Sequence, residues 1–396
     1  MNVNAQSAKG LAIPFDHQRL DRLMDAAGID VVLATSKHNV QYLLGGHHAD
    51  FFNYMDATGV SRYLPVVVYA KGQPEKTAYI GHRLEKWRIQ NKPVWTPETQ
   101  ISTSGTVDAM QKAVDHIRKS GIRVKRIAAE FAFLPYDAAQ LLRAAFPDAE
   151  WVDALYVLER QRVKKSPDEL QALKHASEVV IDSMQAVIDK TPPGTSKADI
   201  VEAMRREETN RGLTFEYCLI TVGTSHNRAP SGEKWEQGDI LSLDSGGNYR
   251  GYIGDLCRMA IRGEADAELE DLLGEIETIQ RAAFKPIRAG ALGAEIYAVA
   301  APLVQKSKHH NHLEFLAHGM GMVSHEGPRL AERGPVPYPN EYAREPLEAG
   351  MVVSVETTLM HPTRGFIKLE DTVVVTETGH EVYGEGLRGW NRAGTV

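Results

Sequence analysis

Asp244, Asp255, His318, Glu356 and Glu370 are the residues of this chain whose types and settings suit chemistry. Asp244 follows Ile240-Leu241-Ser242-Leu243, and Asp255 follows Gly251-Tyr252-Ile253-Gly254. His318 opens His318-Gly319-Met320-Gly321. Glu356 ends the apolar run Met351-Val352-Val353-Ser354-Val355, and Glu370 ends Gly365-Phe366-Ile367-Lys368-Leu369. Four carboxylates and one imidazole form an oxygen-rich set without thiolate, which disfavours a structural zinc site. Such a set suits two divalent ions that share carboxylates and activate a water between them. Manganese, cobalt, zinc and iron all remain open, because oxygen-rich sites with one imidazole discriminate poorly. A single strand acid is ordinarily a surface residue, but that account strains when five ligand-type residues recur in such settings.

The elements that must position these residues read as hairpins. Asp244 and Asp255 flank the turn-rich Asn248-Tyr249-Arg250-Gly251. Their odd separation can put both carboxylates on one face of paired antiparallel strands. Glu356 and Glu370 repeat the arrangement around His361-Pro362-Thr363-Arg364-Gly365. Carboxylates at the ends of buried apolar strands are costly unless charges or metals compensate them. Ser166-Pro167-Asp168-Glu169 starts a helix with Ser as N-cap, Pro in the first turn and Glu three residues after the cap. Leu170, Leu173, Ala176, Val180, Met184 and Val187 follow at helical spacing, and Thr191-Pro192-Pro193-Gly194 stops it. A second helix starts at Thr195 or Ser196 and ends near Asn210-Arg211-Gly212. Two more, over 267–287 and 293–306, should cover a sheet built from the hairpins. The N-terminal part alternates strands and helices, with strands at Val31-Val32-Leu33-Ala34, Pro65–Tyr69, Thr77–Ile80 and Arg126-Ile127-Ala128-Ala129. The boundary near Arg162-Val163-Lys164-Lys165 gives domains over 1–162 and 163–396.

The stretch from about Gln161 to Val382 resembles the pita-bread metallopeptidase superfamily of methionine aminopeptidases, Xaa-Pro aminopeptidases, prolidases and creatinases. The resemblance runs through Gly238-Asp239-Ile240 to Asp244, Gly254-Asp255 to Arg258, His318-Gly319 with His325-Glu326, and Glu370-Asp371. Asn39-Val40-Gln41-Tyr42-Leu43-Leu44-Gly45-Gly46 looks like the creatinase/prolidase N-terminal domain. The implied fold is α+β: an α/β creatinase-like domain followed by a pita-bread catalytic domain of αββ pseudo-repeats. The resemblance implies that Asp244, Asp255 and Glu370 bind one ion, that Asp255 and Glu370 bridge, and that His318 and Glu356 complete the second. Glu356 would then accept a proton as hydroxide attacks a carbonyl or amidine carbon. It also implies a substrate-contacting role for His325 and a contact or shuttle role for His226, in Gly223-Thr224-Ser225-His226-Asn227. A homodimer is implied too, with His47-His48-Ala49-Asp50 and Phe51-Phe52-Asn53-Tyr54 bordering the partner's pocket.

Size and charge narrow the partners. At 396 residues the chain can hold two domains with a substantial core. A net charge of −7 argues against a nucleic-acid partner, whose footprint would be basic. Cys218 and Cys257 are too few for a disulfide framework and fit a reducing compartment. Cys257 reads as a small buried hydrophobe. With no signal-type leader and no apolar run of membrane length, a cytoplasmic location with no membrane partner is expected. His309-His310-Asn311-His312 reads as a solvated helix end.

Three departures from the prolidase pattern concern the pocket wall: Glu356-Thr357-Thr358 in place of Glu-Pro-Gly, Lys368 in place of Arg, and Ala317 before His318. The leading reading is a dinuclear-metal hydrolase of a Xaa-Pro dipeptide, short peptide or related small amide. The alternative is a small-molecule enzyme on the same scaffold: an amidinohydrolase of creatinase type, an ectoine-type hydrolase or a dimethylsulfoniopropionate-type lyase. A catalytically silent module is disfavoured by the complete ligand set.

Overall fold

The computed structural model describes residues 11–48, 63–330 and 340–393. The chain forms two compact units, Met1–Arg162 and Val163–Val396.

In the first unit, among the described residues, six strands form one sheet: β1 (Val31–Ala34), β2 (Val66–Ala70), β3 (Ala78–His82), β4 (Glu98–Thr103), β5 (Arg126–Ala129) and β6 (Glu150–Asp153). Their order is β4-β3-β2-β1-β5-β6. The helices are α1 (His17–Ala26), α2 (Lys37–Leu43), α3 (Lys86–Asn91), α4 (Thr106–Lys119), α5 (Tyr136–Ala145) and α6 (Leu155–Arg162). Both faces of the sheet are buried. Val32, Val67, Tyr69 and Ala128 pack with Leu20, Met24, Val157 and Leu158 of α1 and α6. The alternate residues Val31, Leu33, Val66, Val68 and Ile127 pack with Met110, Ala113 and Leu142 of α4 and α5. Burial on two faces explains strands that read as unbroken apolar runs.

The Asn39–Gly46 segment serves this unit's own architecture. Ser36 caps α2 by accepting the Asn39 amide proton. The buried Asn39 side chain donates to Glu130 Oε1 at 2.6 Å and accepts from Arg162. His47 is buried and pairs with Glu85 at 2.8 Å. Ala49, Asp50, Phe51, Phe52, Asn53 and Tyr54 lie outside the described residues.

The second unit is built on hairpins. Its elements are α7 (Pro167–Lys190), β7 (Thr195–Ser196), α8 (Lys197–Asn210), β8 (Thr214–Val222), β9 (Lys234–Trp235), β10 (Ile240–Tyr249), β11 (Tyr252–Ile261), α9 (Ala267–Phe284), α10 (Gly293–Lys306), β12 (Leu313–Gly319), β13 (Val352–His361), β14 (Gly365–Val375), β15 (His380–Tyr383) and β16 (Asn391–Arg392). The main sheet runs β12-β13-β14-β11-β10-β8, with β15 added on β14 and β16 on β11. β10 and β11 are joined by a two-residue turn in which Arg250 (φ 55°) and Gly251 (φ 100°) are both left-handed. That is the hairpin turn whose twist matches its strands.

Four helices cover one face of this sheet. Ser166 and Glu169 close a capping box at the start of α7, and Thr191 ends the helix. Val353, Val355, Ile367 and Leu369 pack under α9 and α10, while Leu241 and Leu243 pack under α7 and α8. A Cβ on Gly254 would lie 2.6 Å from the Ser177 backbone nitrogen of α7, so only glycine allows this approach. Truncating a buried side chain such as Leu173 to alanine would cost about 2–5 kcal/mol. Among the described residues, no helix is long and apolar enough to cross a membrane.

Candidate metal centre

Strand alternation places the ligand-type residues on the sheet face opposite the helices. Gly246 stands opposite Asp255 and Cys257 opposite Asp244, so the two aspartates are diagonal neighbours on one face. Cys257 also stands opposite Glu370, which stands opposite Glu356. His318 stands opposite Ser354, two residues from Glu356. The five residues therefore come together from β10, β11, β12, β13 and β14. All are largely withdrawn from water: Asp244 3%, Asp255 4%, His318 7% and Glu370 2% exposed, with the Glu356 side chain at 13%.

A tight bend brings a sixth group. A Cβ on Gly319 would lie 2.2 Å from Pro328 nitrogen, so the chain can double back only with glycine there. This return is held by the Glu326 amide donating to Gly319 at 2.9 Å and by the buried ion pair of Lys165 with Glu326 at 3.0 Å. It lays the His325 ring against His318, with centroids 3.8 Å apart. Burial works against charge on His318, but Glu370, Glu356 and Asp255 raise its pKa to about 9. Burial and the neighbouring His318 push His325 down to about 4.

The carboxylates are under strong mutual stress. Burial first, then Glu370 and Asp244, hold the Asp255 carboxyl well above the ordinary range. Burial and Glu370 raise Glu356, and burial raises Asp244 against the pull of Lys368. Burial opposes charge on Glu370 as well, yet Lys368 and His318 leave it below the usual carboxylate range. Buried carboxylates at such distances call for positive charge.

That demand tests whether the residues fit a metal. His318 Nε2 is buried and, among the described residues, has no hydrogen-bond partner. It lies 3.6 Å from Glu370 Oε1 and 3.7 Å from Glu356 Oε1, too far for hydrogen bonds and suitable for ligands of a common ion. Donor atoms of Asp255, His318 and Glu370 all lie within 4.8 Å of one another. These three fit a divalent ion. Asp244 and Glu356 are engaged differently: Asp244 Oδ2 accepts from Lys368 at 2.7 Å, and Glu356 Oε2 also pairs with Lys368.

The sequence profile of the metallopeptidase family M24 matches residues 171–377, and that of the creatinase/prolidase N-terminal domain matches 17–164. The chain belongs to metallopeptidase family M24. It is 26% identical over 371 residues to an uncharacterized peptidase, YqhT, of Bacillus subtilis, covering 92% of this chain and 96% of that one. It is 28% identical over 387 residues to a creatinase of a Bacillus species, covering 92% and 88%. A solved Xaa-Pro dipeptidase from Bacillus anthracis shares the fold with a TM-score of 0.79 at 22% identity, covering 95% of this chain and 98% of that one. Family membership makes this chain a metallohydrolase.

Other histidines of the M24 chain fall outside the cluster. His226 is exposed and its Nε2 bonds the His361 carbonyl at 3.1 Å, by the β13–β14 turn. His310 Nδ1 bonds the Ser307 carbonyl in the turn after α10, and His310 and His312 line an open groove beside β12. Two of the pocket-wall departures need correction. Thr357 and Ala317 face the helix-covered core, because each is one residue out of phase with Glu356 or His318. Thr358 and Lys368, opposite each other, do face the site.

Three further groups escaped the sequence reading. Arg228 reaches Asp244 from the segment after β8, where its carbonyl accepts the Ile220 amide at 2.9 Å, and its guanidinium lies 5.0 Å over the Phe366 ring. Tyr217 of β8 stands on one side of Gly246 and Asp255 on the other, so the two share the site face. Ser354 donates to Glu370 Oε1 at 2.7 Å. The period-two phase of β8 and β13 relative to the ligands carries the only sequence signal for Tyr217 and Ser354.

Proposed function

We propose that this chain hydrolyses the bond preceding proline in a dipeptide or short peptide, or a related small amide. The observation that carries the reading is the buried Nε2 of His318, without a hydrogen bond among the described residues, facing Glu370 and Glu356 beside Asp255. Asp255, His318 and Glu370 would hold a divalent ion, with Asp244 and Glu356 as the remaining ligands of the set; manganese, cobalt, zinc and iron all suit it. A divalent ion bound there supplies Lewis acidity and lowers the pKa of a water.

The protein's own residues divide the remaining work. Glu356, the most exposed of the four carboxylates and raised by burial, is suited to take up a proton and return it to a leaving amine. His325 stays uncharged at neutral pH and offers a ring N–H to an oxyanion forming beside His318. Ser354 fixes Glu370 by a hydrogen bond, and Tyr217 flanks Asp255 across Gly246. Lys165 and Glu326 fix the loop that carries His325.

A second reading, an amidinohydrolase or another small-molecule enzyme on this scaffold, draws on the creatinase relative and on Thr358 and Lys368 in the site wall. Turnover of Xaa-Pro dipeptides, creatine, ectoine and dimethylsulfoniopropionate by metal-loaded protein separates the readings. Proline dipeptides should be cleaved. Elimination from dimethylsulfoniopropionate with every amide left intact would contradict the peptidase reading and select the lyase form of the second.

A further inference from the structure

We propose that the Lys368 ammonium is itself one of the cations of this centre, so that the chain takes one divalent ion where its five ligands would otherwise hold two. The inference rests on the metallohydrolase reading and specifies its ion content.

Lys368 enters from β14, two residues before Glu370 and on the same face. Its Nζ lies 2.7 Å from Asp244 Oδ2 and 2.7 Å from Glu370 Oε2, and it contacts Glu356 Oε2. An ammonium has three donors, and here each meets one carboxylate. The side chain is 5% exposed, so water does not stand in for these partners. An ion bound by the same oxygens would need them at about 2.0–2.2 Å, inside the triangle that Nζ fills. A compact, point-like ammonium suits a hole of that size, whereas a planar guanidinium is too broad for it.

Glu370 is divided between the two positions. Its Oε2 holds Lys368, while its Oε1 faces His318 Nε2 at 3.6 Å and accepts from Ser354. An ion on Asp255, His318 and Glu370 therefore shares this carboxylate with an ammonium rather than with a second ion. The charges support the same division. One divalent ion, Lys368 and Arg228 together balance Asp244, Asp255, Glu356 and Glu370. A second divalent ion would leave this buried face with excess positive charge and would strip Lys368 of its partners.

The test is the metal stoichiometry of the full chain, stripped with chelator and titrated with Mn²⁺ by calorimetry. Elemental analysis and electron paramagnetic resonance follow. Wild type should hold one Mn²⁺ per chain, with the spectrum of an isolated ion. Lys368→Met, of similar length and uncharged, should take up a second ion and give the spectrum of a coupled pair. Two coupled ions in wild type would overturn the inference and leave the metallohydrolase reading intact. One ion in both wild type and Lys368→Met would also overturn it, provided circular dichroism shows the variant folded. No bound Mn²⁺ in either protein would overturn both the inference and the reading on which it rests.

Discussion

The imidazoles of His318 and His325 lie stacked, with centroids 3.8 Å apart and planes inclined by 14°. The carboxylates around His318 raise it to about 9, while burial and His318 lower His325 to about 4. Two like groups pushed apart in this way take different roles. His318 is drawn into the carboxylate cluster. His325 remains an uncharged donor at its edge.

Removing that donor should cost rate and spare the cluster. His325→Ala is expected to lower kcat by about 10²–10³, the usual effect of losing one oxyanion donor. Metal content should not change. Steady-state kinetics on the best substrate, with elemental analysis of the same sample, checks both. Loss of the metal together with the rate would make His325 a structural support instead.

A buried acid behind the sheet should set the pH dependence of stability. Glu208 of α8 is fully buried. Its Oε1 accepts from Ser245 at 2.8 Å, and its Oε2 has no partner among the described residues. Burial raises its pKa to about 7. A raised acid favours folding below its unfolded value near 4.5, and this contribution is lost as pH rises through about 7. Wild type should therefore lose up to about 3 kcal/mol of stability between pH 4.5 and 8 through this group. Glu208→Gln should be more stable than wild type at pH 8 by up to that amount, with the gain vanishing near pH 4.5. Urea unfolding of both proteins at the two pH values measures it. An equal difference at both would remove Glu208 as the cause.

Asp371 should matter for folding far more than its neighbour Glu370. It points away from the candidate ligands and holds both Arg258, at 2.6 Å, and Arg388 in a buried network. Arg258 also donates to the Glu370 carbonyl at 2.7 Å, which fixes the strand that carries the ligand. Asp371→Ala leaves the buried Arg258 guanidinium without its carboxylate and Arg388 with Glu277 alone, and should cost about 3–5 kcal/mol. Glu370→Gln should cost less. Denaturant midpoints for the two variants decide the order.

Much of this was legible in the sequence because local signals agreed. The capping box at Ser166, the left-handed pair Arg250-Gly251 and the odd spacing of Asp244 and Asp255 each have one physical solution. The edge strands β4 and β6 were not legible. Glu98–Thr103 is half-exposed and largely polar, with Ile101 its one aliphatic residue, so no apolar run marks it. Lys368 could be seen as a substitution, but its place among three carboxylates depends on the joint register of β10, β13 and β14. Thr357 and Ala317 show the converse: adjacency to a ligand in sequence puts a residue on the opposite face of a strand.

The central claim is that Asp255, His318 and Glu370 form a metal centre on which catalysis depends. It is tested most directly by the metal content and turnover of Asp255→Ala beside wild type, with Asp255→Asn as a control for folding. Bound divalent metal should disappear from both variants, together with detectable hydrolysis, while their far-ultraviolet circular dichroism matches wild type. Wild-type metal content and turnover in Asp255→Ala would contradict the account.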